Sequence, residues 1–171
     1  ELASRLSYFL WRSMPDEKLF SLAKSGDLMR RDVLLSEIDR MLSDPKSEAL
    51  IGHFTRQWLG LDKLERLNVD ESLYPEYDLA LQQAMHGETT AFFREILREK
   101  LSIYSFIDSD FLILNERIAQ HYGIPGVRGN AFRNVQRRPD DRRGGMLTQA
   151  AVLTATSNGG RTLPIKRGAF I

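Results

Sequence analysis

The sequence predicts a mostly α-helical protein: an irregular multi-helix bundle of roughly seven helices with a less regular, basic C-terminal region. Three observations predict it. Apolar residues recur at spacings of three and four through most of the first 122 positions, the period of a helix with one buried face. Alternation of apolar and polar residues, the mark of a half-buried strand, is too scarce for a sheet of any size. After Val127 the periodicity dissolves into Arg, Asn, Pro and Gly, residues that favour turns and solvent.

The elements follow in order. Leu2, Leu6, Phe9 and Leu10 form a first helical stripe, closed by Trp11. Ser13-Met14-Pro15-Asp16 reads as a helix start, with a capping hydroxyl, an early proline and acids in the first turn. A short helix then runs through Leu19, Leu22 and Ala23 to Gly26. Val33, Leu34, Ile38, Met41 and Leu42 have helical spacing. Ser43-Asp44-Pro45 breaks that run and starts the next helix, which carries Leu50, Phe54, Trp58 and Leu61. Residues 62–76 read as a connection ending in Tyr74-Pro75. A long helix is expected from about Tyr77 to Lys100, then a short segment around Ile103–Ile107. Another helix covers Leu114 to Tyr122 and stops at Gly123-Ile124-Pro125-Gly126. Residues 127–141 fit either a surface loop or short strands around Phe132 and Val135. Gly145 to Thr154 reads as a final buried helix of small bulk.

At 171 residues the chain is long enough for a sizeable core. It contains no cysteine, which excludes disulfides, thiolate metal sites and covalent c-type haem attachment within it. No apolar run approaches the length of a membrane-spanning helix. The chain opens inside an amphipathic pattern without Met, so it reads as a piece of something longer, with any targeting segment outside it.

Charge is unevenly spread. Positions 128–171 hold nine Arg or Lys against two Asp, a net +7, which leaves −6 for residues 1–127 of a chain whose total is +1. Six of those arginines lie between Arg128 and Arg143, Arg142 and Arg143 among them. Arginine forks suit phosphate, carboxylate and sulfate; equally, they could pair with the acidic helical body. Phe132 is the sole aromatic side chain in that loop, which argues against a single-stranded nucleic-acid surface. Farther on, Asn158-Gly159-Gly160 can form a tight turn whose N–H groups make an anion nest. Arg161, Lys166 and Arg167 would add charge, and Thr156, Ser157 and Thr162 short hydrogen-bonding arms. The alternative is an ordered loop that stitches the tail to the body. Neither a phosphate-binding Walker loop nor a serine-nucleophile elbow is present.

Glu88 shares a helix face with Leu81, Met85, Phe92 and Ile96, at steps of four, three, four and four. A carboxylate in an apolar stripe needs a partner. It is either a general acid or base with a shifted pKa, or a buried tie to an arginine such as Arg5 or Arg12. His53, His86 and His121 lie on three separate expected helices without metal-ligand spacing. His86 and Glu88 would point about 160° apart on a helix. No metal site is expected.

These residues also carry a resemblance. Glu1 to Trp11, Met14-Pro15-Asp16, Gln57-Trp58-Leu59, Glu88-Thr89 with Phe92-Phe93, Leu114 to Arg117 and His121 to Ile124 place residues 1–127 as similar to the domain of unknown function numbered 1592. Asp141 to Gly145, Thr156-Ser157-Asn158 and Arg161 to Gly168 place residues 128–171 as similar to the start of the domain numbered 1588, although Leu163 stands where that family usually has serine. The two domains usually occur in tandem in large planctomycete-type proteins that also carry a cytochrome-c-like domain. The resemblance therefore implies an extracytoplasmic multidomain protein with haem c elsewhere in its polypeptide and no cofactor in this part. It implies no established activity.

The reading that results is a non-catalytic binding or docking module. Its C-terminal loop (Arg142, Arg143, Ser157, Asn158, Arg161, Thr162, Lys166 and Arg167) would meet an anionic or polysaccharide ligand or a neighbouring domain of the same polypeptide. The alternative is a glycan-directed hydrolase using Glu88 as acid and base.

Overall fold

A computed structural model describes residues 1–170. The described residues form nine α-helices, four short 3-10 turns and one two-stranded sheet, the mostly helical architecture the periodicity predicts. The chain divides into two compact units, Glu1–Phe54 and Thr55–Ile171. Residues 55–127 and the basic segment that follows thus share one unit: a step in charge along the sequence is not a step in packing.

The first unit holds α1 (Leu2–Leu10), α2 (Glu17–Ser25), α3 (Arg31–Ser43) and the start of α4 (Glu48–Trp58). Its core gathers Ala3, Leu10, Trp11, Leu19, Leu28 and Met41. The buried face of α1 is Ala3, Ser7 and Leu10, while Phe9 is 61 % exposed, so the expected stripe is turned away from Phe9. The cap of α2 is Asp16, which accepts from the Leu19 N–H at 2.9 Å, rather than Ser13. Trp11 donates its indole N–H to the Met41 carbonyl at 2.8 Å, and Arg40 and Lys46 lie over its ring at 5.3 and 4.6 Å. Arg40 also joins the buried Glu37 to Asp16. Burial pushes the Glu37 carboxyl up, but hydrogen bonds from Arg40 and Lys18 outweigh it and hold the group below its ordinary range. On α4 the buried positions are Ile51 and Thr55, followed by Leu59 just past its end, and Phe54 and Trp58 are exposed. The inward face is thus one residue round from the one carrying the largest side chains.

The second unit is organised by α6 (Leu79–Arg98), on which Leu81, Met85, Glu88, Phe92 and Ile96 are all buried, as their spacing requires. Asp78 starts it by accepting from the Leu81 N–H. Around it lie α5 (Asp62–Arg66), α7 (Glu116–Tyr122), α8 (Ala150–Ala155) and α9 (Pro164–Gly168). The strands β1 (Phe111–Leu114) and β2 (Arg133–Gln136) pair antiparallel, Phe111 opposite Gln136 and Leu114 opposite Arg133. Of the two open readings for 127–141, a pair of strands holds only in part: one strand forms there, around Val135 and not Phe132, and its partner is Phe-Leu-Ile-Leu, whose Leu114 lies in the strand and not in the expected helix. That run is buried on both faces, so it shows no alternation. Phe111 stacks on Phe92 of α6 with ring centroids 5.1 Å apart. Gly87, costly in a helix interior, is where the Phe132 ring packs on α6; a β-carbon there would overlap it. Among the described residues no helix is long and apolar enough to cross a membrane.

The basic segment is largely anchored. Arg128 pairs with Glu116 at 3.1 Å, Arg137 with Asp108 at 2.6 Å and Arg138 with Asp141 at 2.9 Å. Arg128 and Arg137 thus follow the second of the two readings, pairing with acids of the helical body, whereas Arg138 pairs inside the basic segment.

Candidate functional site

The second unit contains a pocket of about 270 Å³, at the small end for ligand sites (about 300–1,000 Å³ for drug-sized ligands). Its apolar floor is Val69, Leu81, Met85 and Leu153. One wall comes from the connection before α6, with Tyr74, Glu76 and Tyr77, and His121 of α7 adds to it. The opposite wall is the end of α8 and the loop after it, with Thr154, Ser157, Gly159, Arg161 and Thr162, together with Arg167 of α9. The structure thus gathers Ser157, Arg161, Thr162 and Arg167 at one cavity. Lys166 and Asn158 sit beside it without lining it, and Arg142 and Arg143 line a different, wider cleft with Arg138, Asp140 and Asp141.

The hydrogen bonds sort these residues by use. Asn158 Oδ1 accepts from the N–H groups of Gly160 (3.1 Å) and Arg161 (2.9 Å), and Ser157 Oγ accepts from Gly159 N–H at 3.2 Å. The turn that could have nested an anion is closed on its own side chains. Lys166 Nζ donates to the Ser157 carbonyl at 2.6 Å. Arg167 donates to the Leu153 carbonyl and to Thr156 Oγ1, completing the end of α8 where carbonyls lack partners. Arg161 is different. Its side chain is exposed in the pocket and has neither a hydrogen bond nor an ion pair among the described residues.

A close backbone approach fixes the loop. Gly159 has φ +87°, accepts from Asp70 N–H at 3.1 Å, and lies where a β-carbon would overlap the Asn68 carbonyl. Tyr74 adds a hydrogen bond to the Gly160 carbonyl at 3.3 Å. Gly159→Ala is expected to cost on the order of 1–3 kcal/mol and to part the two walls. Denaturant unfolding checks it; an unchanged midpoint would show that the loops do not depend on this contact.

Glu88 lines neither cavity. It is 1 % exposed, and its partner is neither Arg5, which pairs with Glu1 at 2.7 Å, nor Arg12, but Tyr122, whose hydroxyl donates to Glu88 Oε2 at 2.7 Å. The same hydroxyl accepts from the Ala150 N–H at 2.7 Å. One phenol thereby joins α6, α7 and the start of α8. Arg143 stacks on the Tyr122 ring, 3.7 Å from its centroid, and donates to the Thr148 carbonyl at 2.9 Å. Burial pushes the Glu88 carboxyl up to about 8, against the lowering pull of Tyr122, Arg143 and the Ala150 amide. Burial and the neighbouring Glu88 hold the Tyr122 phenol well above its ordinary range. Glu88 itself is buried, while Tyr122 and Arg143 border the wider cleft beside Arg142. Tyr122 carries no sequence signal for the role, standing 34 positions from Glu88.

Residues 1–124 match the family described as protein of unknown function (DUF1592). The chain belongs to that family. Neither a curated protein nor a solved structure matches it. In this DUF1592 chain the pocket draws Val69 to Met85 and His121 from the matched region, and Leu153 to Arg167 from beyond it. The Glu88 tie has the same composition, since Glu88 and Tyr122 lie inside the match and Arg143 and Ala150 outside.

The histidines do not gather. His53 belongs to the first unit, and among the described residues no cluster of three His, Cys, Asp or Glu could hold a metal. Burial holds His86 and His121 below the ordinary imidazole range.

Proposed function

We propose that this DUF1592 chain is a non-catalytic binding module whose pocket takes a small anionic, polar ligand. The supporting observation is Arg161, a residue that lines the pocket and whose guanidinium is paired with nothing among the described residues, while Lys166 and Arg167 of the following helix α9 are committed to backbone carbonyls. A binding role fits better than hydrolysis, because Glu88, the acid pushed farthest above its ordinary range, is buried, spent on a hydrogen bond from Tyr122 and lines neither cavity. The wider setting belongs to the same proposal: residues 128–171 as the start of the domain numbered 1588, in an extracytoplasmic protein with haem c elsewhere. Docking of a neighbouring domain is supported by an apolar edge on the 3-10 turn after α6, where Ile103 and Tyr104 are each 75 % exposed and Ile107 63 %.

The test is a thermal-shift series with phosphate, sulfate and small carboxylates, on the wild type and Arg161→Ala. A ligand at one hundred times its Kd stabilises by about 2.7 kcal/mol. Arg161→Ala should keep the unliganded melting temperature, since the side chain supports nothing, and lose the shift. No shift with any anion in the wild type would sink the proposal.

A further inference from the structure

The chemistry left unspent in this pocket narrows the ligand. Among the lining residues, Arg161, Glu76, His121, Thr154 and Thr162 make no side-chain hydrogen bond among the described residues, and the Tyr77 hydroxyl only accepts one, from Gln82 at 3.4 Å. A ligand is therefore met by one guanidinium, one carboxylate, an imidazole and several hydroxyls. Arg161 and Glu76 line the same cavity yet form no ion pair, so each is available to a different end of whatever enters.

Each group excludes something. A guanidinium gives only donors and a carboxylate only accepts. Inorganic phosphate or sulfate would satisfy Arg161, but would bring further acceptors toward Glu76 and leave the rings of Tyr74 and Tyr77 unused. A neutral sugar would use the hydroxyls, Glu76 and the aromatic faces, and leave Arg161 unspent. An aliphatic amino acid would engage Arg161 and Glu76 with its two charges but bring no ring face for Tyr74 and Tyr77. What remains is a ring with one anionic group, several hydroxyl donors and an apolar C–H face.

Resting on the binding reading above, we propose that the pocket takes an acidic sugar ring, a pyranose that carries a carboxylate. The carboxylate meets the Arg161 fork, a bidentate geometry to which guanidinium is suited. Ring hydroxyls donate to Glu76 and exchange hydrogen bonds with Thr154 and Thr162. The C–H face lies on Tyr74 or Tyr77, whose amphipathic rings offer apolar area with a polar tip. The cavity volume admits one ring rather than a long chain, so an acidic polysaccharide would be met at an end or a single residue.

The experiment is a titration followed by NMR chemical shifts at physiological ionic strength, using glucuronate, galacturonate, glucose, glutamate and sulfate. The proposal expects one uronate to bind at least about ten-fold more tightly than glucose and than sulfate. Arg161→Ala should reduce the uronate to the affinity of glucose. Glu76→Gln should weaken uronate and glucose alike while leaving sulfate unchanged or tighter. The resonances of Tyr77, Thr154 and Thr162 should move, and unchanged unliganded spectra of both variants establish that the fold persists. Sulfate binding as tightly as uronate would overturn the sugar assignment and leave an anion site. Glutamate binding most tightly would replace it with an amino-acid site. Binding of none of the five would remove this inference and the binding reading together.

Discussion

Glu88→Gln is expected to keep the fold and to flatten the dependence of stability on pH between about 4.5 and 8. The sign follows from where the proton is. In the folded chain Glu88 is buried and titrates near 8; in the unfolded chain it titrates near its ordinary 4.5. Between those limits the folded state keeps a proton that the unfolded state has released. Stability therefore falls as pH rises, by up to about 1.4 kcal/mol per unit. It is fully present below 4.5, and the loss is complete above 8. Glutamine carries no proton to lose but can still accept from the Tyr122 hydroxyl. The difference, variant minus wild type, should climb through this window to a few kcal/mol on the order-of-magnitude scale and level off above pH 8. His86 and His121 have the opposite trend, because burial depresses their proton affinity, but they are common to both proteins and cancel in the difference. Urea melts at half-unit steps from pH 4.5 to 8.5 measure it. A difference flat in pH would mean that Glu88 is ionised in the folded state and that water or a cation reaches it.

That experiment reports where the Glu88 proton sits in the folded chain; a catalytic role would have to show itself in turnover. The helical period placed the carboxylate among Leu81, Met85, Phe92 and Ile96, and it is there, because side-chain direction on a regular helix is fixed by position. Its partner was not legible. Tyr122 closes α7 and reaches Glu88 only after α7 and α8 have folded against α6, a tertiary event with no local trace. The small sheet was hidden for a related reason: alternation vanishes when both faces of a strand are buried, as in Phe111 to Leu114. The α1 stripe holds at Leu2, Leu6 and Leu10 and fails at Phe9, and on α4 Phe54 and Trp58 are outside, because size alone does not point a side chain inward. The C-terminal loop was legible as a locus and opaque as chemistry. Its composition marked Ser157 to Arg167, but which cations were spent on carbonyls and which remained depended on hydrogen bonds that sequence does not encode locally.

The glycine-rich run before α8 shows how a segment can look like a ligand loop and serve as an anchor, and Gly145→Ala should have the largest effect of any single methyl added to this chain. Gly145 has φ +72° and ψ 173°, a region that side chains avoid. A β-carbon there would overlap the carbonyl of Ile107 and crowd that of Phe106, so relief requires backbone movement rather than a rotamer change. The position is also tied down: Gly145 N–H donates to Ser109 Oγ at 3.1 Å, and that hydroxyl donates to the Phe111 carbonyl at 2.7 Å. The basic segment is thus hooked onto the turn that leads into β1. Strain and overlap together should cost on the order of 3–5 kcal/mol. Gly168→Ala is the control, because nothing lies within 4 Å of its added carbon and its φ is not positive; it should change stability by no more than about 0.5 kcal/mol. The turn that begins at Gly145 leads directly into α8, whose Leu153 and Thr154 line the pocket. Gly145→Ala should therefore weaken ligand-induced stabilisation as well as the fold, whereas Arg161→Ala should remove the first and leave the second. Gly145→Ala within 1 kcal/mol of wild type would show that the hook at Ser109 does not hold the basic segment, and that α8 is positioned by its packing on α6 alone.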